Sequence, residues 1–358
     1  MTPDPDPDID PQRFEVHRFG GRGFDQAYVR ENAGGVPLLL VHGWPESKRI
    51  WWRVIEPLAA AGFEVIVPDL RGFGDSDVGP DGFHDVPAHV HDLHALLTDG
   101  LRLDRVVLCG GDLGGPVVQM LALEHPELAE RLVLFNSPLP YDPERMAGMA
   151  TRPPREAADY FVRQGMDADG LAADLTTPEQ RRRYIATFYT SRFWAHPGAF
   201  MGDAPAVFGP FGGTPQVDFH TEPFGDAAKL RASFGGYESV FDPAQQSGPA
   251  QLARNEAVRA LLLFGPSDHV IYPAFDDMAA VVFPDHDGPH RPVPSSDQVP
   301  ISSGQCLRRD GRERTRHRDL EATPRPRHHV QATNAIVRSS AWRCARARSG
   351  QSQHRRDC

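Results

Sequence analysis

Val106-Val107-Leu108-Cys109-Gly110-Gly111-Asp112-Leu113-Gly114-Gly115 decides how this chain is read. An apolar, β-branched run leads in, small residues flank Asp112, and a helical pattern follows from Pro116 through His125. A strand, a tight turn and a helix in that order hold one side chain outward at the tip of a bend. The glycines allow dihedrals and close backbone approach that a Cβ would obstruct. A carboxylate at the tip, rather than a serine, suits attack on an alkyl carbon and a covalent ester intermediate. The competing reading is a turn aspartate that caps the following helix.

At 358 residues, with 40% hydrophobic and 24% charged, the chain has room for a full core. No apolar stretch is long enough to span a bilayer. The start, Met1-Thr2-Pro3-Asp4-Pro5-Asp6-Pro7-Asp8, is acidic and proline-rich and lacks the basic and apolar regions of a signal peptide. Residues 1–13 are therefore expected to be a disordered leader, and the expected location is cytoplasmic. Residues 287–358 hold 15 Arg against 7 Asp and Glu, although the whole chain carries −10. Cys306, Cys344 and Cys358 lie in this tail and Cys109 in an apolar run, which makes neither a disulfide framework nor a CxxC metal site.

Residues 15–18 and 25–30 read as an opening strand pair, and 37–41 as a short apolar strand. Helical spacing over 50–61 stops at Gly62, and 63–68 is a second buried strand. A helix is expected over 86–101, strands over 105–109 and 132–136, and a resumed sheet pattern at 260–264 before a helix at 274–281. Alternation of strands and helices at these lengths predicts an α/β fold, a mostly parallel sheet covered on both faces. From 138 to 243 the chain turns rich in Arg, Phe, Pro and Gly, with helical stretches near 155–164 and 178–189. An insertion there is expected to lie as a cap over the strands' C-terminal edge, where open α/β sheets bind ligands. The core is thus assigned to 14–137 and 244–286, the cap to 138–243.

The motifs His42-Gly43-Trp44-Pro45-Glu46-Ser47 and Asp69-Leu70-Arg71-Gly72-Phe73-Gly74-Asp75-Ser76, taken with the Asp112 turn, resemble the epoxide hydrolase branch of the α/β-hydrolase superfamily over residues 14–286. The resemblance implies an α/β-hydrolase fold with an inserted cap and no metal or organic cofactor. It implies that Asp112 attacks an epoxide carbon, and that the backbone N–H groups of Trp44 and Leu113 form the oxyanion hole. Asp268, after the strand and Gly265, would orient a histidine that activates water. The family takes the acid for the departing alkoxide from cap tyrosines, and Tyr237 and Tyr189 are the candidates. Tyr160 and Tyr184 read instead as helix-face residues. The expected partners are a small apolar epoxide and water, without nucleic acid or membrane.

Haloalkane dehalogenases share the aspartate nucleophile and are the rival enzyme class. They typically grip halide with a Trp directly after it and an Asn or Trp elsewhere, whereas Leu113 follows Asp112 here. The remaining alternative is an inactive hydrolase fold that serves as a binding protein. It arises because the family's Gly-x-His-Phe loop is missing after the last expected helix. His286 and His290 are the nearest histidines in frame, and both read as surface loop residues. The expectation is that the reading frame slips near residue 287. Read from the third base of the Asp297 codon, the codons of Asp297 through Gly304 permit Pro-Gly-(Ser/Ala)-His-Phe-Gln-Trp. The competing account is a basic arm that binds nucleic acid.

Overall fold

The computed structural model describes residues 9–149, 155–190, 215–264, 271 and 274–287. The elements run β1 Val16–Phe19, β2 Gln26–Glu31, β3 Val36–Val41, α1 Trp52–Ala60, β4 Phe63–Pro68, α2 Val86–Ala95, β5 Val106–Gly111, α3 Gly114–Glu124 and β6 Ala129–Phe135. Helices follow as α4 Arg155–Met166, α5 Ala168–Asp174, α6 Pro178–Thr190, α7 Pro215–Thr221, α8 Ala227–Ser233 and α9 Gly235–Phe241. The sheet then resumes with β7 Ala260–Leu263, α10 Phe275–Val282 and β8 His286–Asp287.

The strands form one sheet in the order β1-β2-β4-β3-β5-β6-β7-β8. Pairing is antiparallel at β1/β2 and β2/β4 and parallel from β4 onward. The two-residue period of a strand sends Leu38 and Leu40 to one face and Leu39 and Val41 to the other. The first face packs Leu38, Leu40, Val65, Val107 and Cys109 against Trp52, Ile55 and Leu58 of α1. The second packs Leu39, Val41, Ile66 and Leu108 against Val90 and Leu93 of α2, Val117 and Leu121 of α3, and Met278 of α10. Both faces are covered, which is why β3 and β5, and β4 apart from Glu64, read as apolar runs.

The parallel register levels the strand ends. Gly111 of β5 pairs with Phe135 of β6, and Phe135 pairs with Leu263 of β7. The residues just beyond these rungs therefore emerge at one edge, and Asp112 is the first residue past β5.

Several boundaries differ from the sequence expectation. The 50–61 helix begins instead as a 3-10 turn over Lys48–Trp51, capped by Ser47, whose hydroxyl accepts from the Arg49 N–H. Helical structure ends at Ala95 in α2 and continues as a π turn over Leu96–Gly100. Residues 9–13 of the expected leader are placed: Ile9 packs beside α1, and the Asp10 carbonyl accepts from the Trp52 indole N–H at 2.8 Å. Residues 1–8 lie outside the described residues, as do 288–358, so the expected leader's first part and all but the first residue of the tail fall there. His286, expected in a loop, lies in β8 instead, and its Nδ1 is 2.6 Å from the Phe283 carbonyl oxygen. His290 lies outside the described residues. Among the described residues, no helix is long and apolar enough to cross a membrane.

Two buried ionic clusters tie the loops at this edge. Lys48 Nζ donates to Asp69 at 2.6 Å and to Asp75, while the Lys48 backbone N–H donates to Asp69 Oδ1 at 2.7 Å. Arg71 grips Asp92 through Nε and Nη2 at 2.5 and 2.7 Å, and Nη1 donates to Asp81 at 2.6 Å. A planar guanidinium suits this two-pronged contact. Removing one partner from a buried pair leaves a charge without compensation. Lys48→Met is accordingly expected to destabilise the protein by about 3–5 kcal/mol. Adding Asp69→Asn should recover part of that loss, as read from urea unfolding midpoints.

Candidate active site

Asp112 follows β5 directly, with φ +49°. A non-glycine residue in this left-handed region costs roughly 1–3 kcal/mol and persists only where the surroundings enforce it. Here its N–H donates to the Asn136 carbonyl at 3.0 Å, and its carbonyl accepts from the Gly115 N–H at 3.0 Å. Gly115 sits so close to Ser137 that a Cβ would meet the hydroxyl oxygen at 1.8 Å. The turn is therefore locked between the β6 exit and the start of α3.

The side chain does not cap α3. Leu113 occupies the cap position without a side-chain hydrogen bond. Instead, Asp112 Oδ1 accepts from the Trp44 backbone N–H at 2.7 Å. This donor belongs to the loop after β3, and the approach is possible because residue 43 is glycine. A Cβ there would stand 2.6 Å from the Asp112 Cβ. The predicted oxyanion donor Trp44 and the predicted nucleophile are thus brought together. Leu113, half-buried, lies at the helix start, and its side chain faces α9 near Gly236.

His42 fixes the loop from below. Its Nε2 accepts from the Leu70 N–H at 3.1 Å, which leaves Nδ1 to carry the proton donated to the Gly43 carbonyl at 2.9 Å. Burial lowers its pKa, with Asp69 acting in the opposite direction. His42 is a loop organiser with both ring nitrogens engaged.

Above Asp112, the Trp44 ring is enclosed by the helices between β6 and β7. It stacks on Tyr160 at 5.6 Å and meets Phe188 and Tyr237 edge-on at 4.8 and 5.4 Å. Its indole N–H donates to Ser233 Oγ in α8 at 3.2 Å. Tyr237 and Tyr160 are hydrogen-bonded through their side chains, with ring centroids 5.6 Å apart. Burial pushes the Tyr237 phenol well above its usual range, and Tyr160 and the Asp112 carboxylate push the same way. The phenol therefore stays protonated as a neutral O–H, close enough to Asp112 to feel its charge.

Tyr189 goes elsewhere. Its hydroxyl donates to the Pro45 carbonyl at 2.7 Å and contacts the Glu46 side chain, and its ring stacks on His220 of α7 at 5.7 Å. The tyrosine paired with Tyr237 is Tyr160, which the sequence reading placed on a helix face. The signal that identifies it is three-dimensional, since 77 residues separate the two. Tyr184, on α6, accepts from Gln164 Nε2 at 2.9 Å. Asp268 lies outside the described residues, five positions after Leu263, the last residue of β7. Among the described residues, no group of three or more His, Cys, Asp and Glu side chains is arranged to hold a metal ion.

The alpha/beta hydrolase fold family matches residues 36–272. A soluble epoxide hydrolase from Corynebacterium sp. (strain C12) is 40% identical over 122 residues, covering 34% of this chain and 41% of that protein. The matched segment thus spans about two fifths of that relative's length. Among solved structures, the epoxide hydrolase CorEH without ligand is similar at a TM-score of 0.61 and 23% identity, covering 77% of this chain and 89% of that one. The haloalkane dehalogenase DbeA from Bradyrhizobium elkani USDA94 gives a TM-score of 0.56 at 20% identity, over 77% and 88% of the two chains. At these identities the solved structures speak for the fold alone.

The loops and helices around the site carry several buried neutral histidines. Burial, with Arg71 adding to it, lowers His84 to about 4 and takes His89 well below its usual value. Burial, with Arg49 and Arg53, lowers His220 to about 3. Their folded values lie below the unfolded one, so the stability they contribute is present above about pH 6.5 and is lost as pH falls toward the folded values. Each can contribute up to about 1.4 kcal/mol per pH unit in that window. Urea unfolding near pH 7 and near pH 5 is expected to show the acid-side loss, and His84→Asn is expected to flatten it.

Proposed function

The chain belongs to the alpha/beta hydrolase fold family, and on that premise we propose that it opens small apolar epoxides through an ester on Asp112. The observation that carries this reading is the Trp44 N–H bond to Asp112 Oδ1 beneath the Tyr160–Tyr237 pair. In this reading Oδ2 attacks an epoxide carbon while Oδ1 stays on the Trp44 N–H. As the new C–O bond forms, the ring C–O bond breaks, and the departing oxygen takes a proton from Tyr237 or Tyr160. General acid help of this kind contributes ~10²–10⁴ in rate. Water then attacks the ester carbonyl, and the charge that develops on Oδ1 meets the N–H groups of Trp44 and Leu113. Collapse restores the Asp112 carboxylate with the water's oxygen in it; one of the water's two protons goes to the departing alkoxide, which completes the diol, and the other returns to the tyrosinate.

The helices α4–α9 serve in this reading as the cap over the site. Its halide-binding alternative is disfavoured, because the Trp44 indole N–H is already given to Ser233 and the Leu113 side chain has no donor. Tyr189 is reassigned from proton donor to loop support, since its proton goes to Pro45.

The second step needs a base for the water. We place Asp268 as the residue that orients it, because β7 leaves the sheet level with the Asp112 turn. The base itself belongs on a loop after the last strand, and the in-frame sequence past Asp287 carries no Gly-x-His-Phe. β8 starts in register, with His286 opposite Ala260 and Asp287 opposite Leu261. The change to an Arg-rich composition follows at that point, as a frame slip near residue 287 would produce. The chain as written would then form the ester and hydrolyse it slowly.

Incubation with styrene oxide is expected to add one substrate mass to the protein, as intact-mass spectrometry would detect. Asp112→Ala should abolish the adduct, and Tyr237→Phe or Tyr160→Phe should slow its formation by ~10-fold or more. Rapid release of many diol equivalents would rule out the impairment, and absence of any adduct or diol would rule out the epoxide reading. Sequencing the coding DNA tests the frame slip independently, through the presence or absence of a shifted frame that encodes Gly-x-His-Phe.

A further inference from the structure

Ser233 closes α8 and takes no direct part in the proposed chemistry, yet it holds a residue that does. It is 1% exposed, and its Oγ accepts the Trp44 indole N–H at 3.2 Å while donating to the Leu230 carbonyl at 2.7 Å. A hydroxyl has one hydrogen and two lone pairs, so with the hydrogen spent on Leu230 the oxygen is left to accept from the indole. The Phe234 N–H turns to the Arg231 carbonyl at 3.2 Å instead of to Leu230, its ordinary helical partner, which leaves the Leu230 carbonyl to the hydroxyl. The orientation of Ser233 is therefore set by the end of its own helix.

Trp44 is held at both ends. Its backbone N–H reaches Asp112 Oδ1 at 2.7 Å, and its indole N–H reaches α8. Between these two bonds lies the ring on which Tyr160 stacks with an interplanar angle of 13°, and which Tyr237 meets edge-on at 87°. The end of α8 also places Tyr237 through the backbone, since the Tyr237 N–H donates to the Phe234 carbonyl at 2.9 Å. Glycines seat the start of α9 close to the core: a Cβ on Gly235 would stand 2.7 Å from the His84 Cβ, and one on Gly236 would stand 3.3 Å from Leu113 Cδ1.

We propose that Ser233 is a positioning residue: by pinning the Trp44 indole it sets the spacing between the Asp112 carboxylate and the Tyr160 and Tyr237 hydroxyls that protonate the opened epoxide. Without the pin, the indole N–H is buried with no acceptor, and the ring turns to find one. Tyr160 and Tyr237 move with the ring they pack on. The bond to Asp112 stays, because the backbone of Trp44 makes it. A misplacement of about 1 Å in such a site can cost ~10²-fold in rate. This role rests on the ester chemistry assigned to Asp112, but the pin itself can be read without any reaction.

In NMR spectra of the full chain with isotope-labelled tryptophan, the Trp44 indole signal, assigned through Trp44→Phe, is expected to shift in Ser233→Ala while the other indole signals stay in place. An unshifted signal overturns the pin. In esterification by styrene oxide, Ser233→Ala is expected to lose ~10-fold or more in the rate at saturation, with little change in the concentration needed to saturate. In a background that carries Tyr160→Phe and Tyr237→Phe, the same substitution should cost less than ~2-fold, because the groups it positions are gone. An equal loss in both backgrounds overturns the role. Should Ser233→Ala fail to fold, Ser233→Cys, whose thiol is a weak acceptor, is expected to show the same pattern with a smaller loss. A shifted signal with no ester in any variant, wild type included, sinks the epoxide reading and the role with it. A shifted signal with ester formed at the wild-type rate sinks the role alone.

Discussion

A single backbone donor reaching one carboxylate oxygen organises this edge of the sheet. Trp44 N–H and Asp112 Oδ1 are 68 residues apart in sequence and 2.7 Å apart in space. The contact demands that β3 and β5 be adjacent and parallel, as the register of Leu38 through Val41 on Val107 through Gly110 provides. It demands glycine at 43, because a side chain would occupy the space of the Asp112 Cβ. It also demands the left-handed dihedral at Asp112, whose cost is met by the hydrogen bonds to Asn136 and Gly115 and by the packing of α3. The contact fixes one oxygen of the carboxylate, and the proposed chemistry assigns the attack to the other.

What lies around this contact falls into two kinds. Beneath it, His42, Lys48 and Asp69 join the β3 and β4 exit loops through bonds to buried backbone groups. Buried charge is costly unless paired, so these residues specify loop position more than they add stability. Above it, Tyr160, Phe188 and Tyr237 close on the Trp44 ring. The residue that supplies the donor is thus anchored from both sides, by polar bonds through its neighbours and by apolar contact through its own ring. Trp44 serves the site with its backbone and the insertion with its side chain.

The sheet and the turn were legible because their signals are local and periodic. Buried strands are short apolar runs, and the Gly-Gly-Asp-Leu-Gly-Gly bend announces itself at any register. The same holds for the Trp44 loop, whose role depends on its backbone and not on a side-chain environment. The insertion was hard to read for the opposite reason. Helices α5, α7, α8 and α9 are each seven residues long, about two turns, and such helices owe their existence to packing rather than to propensity. Their contacts decide which tyrosine meets which partner. Sequence reading favoured Tyr189 as a candidate acid and set Tyr160 on a helix face, and only the crossing of α4 and α9 brings Tyr160 to Tyr237. Trp52 illustrates a smaller case: its indole N–H reaches the Asp10 carbonyl, 42 residues earlier in the chain, a contact that no local pattern announces.

The two halves of the proposed chemistry draw on different parts of the sheet. Ester formation uses the exits of β3 and β5 and residues of α4 and α9, all present between Trp44 and Tyr237. Ester hydrolysis adds the exits of β7 and β8, because a base must approach the ester carbonyl from beside Asp112. The parallel register makes that approach geometrically direct: from Gly111 through Phe135 to Leu263 the strand ends are level. β8 begins alongside Ala260 and Leu261, two residues short of that level. In a parallel pair the next two residues would reach the same edge, so the loop that delivers a histidine should start just past Asp287. The sequence changes its composition at this very place. A frame slip there would spare every residue that forms the ester and remove the one that cleaves it, which turns a catalyst into a trap for its own substrate.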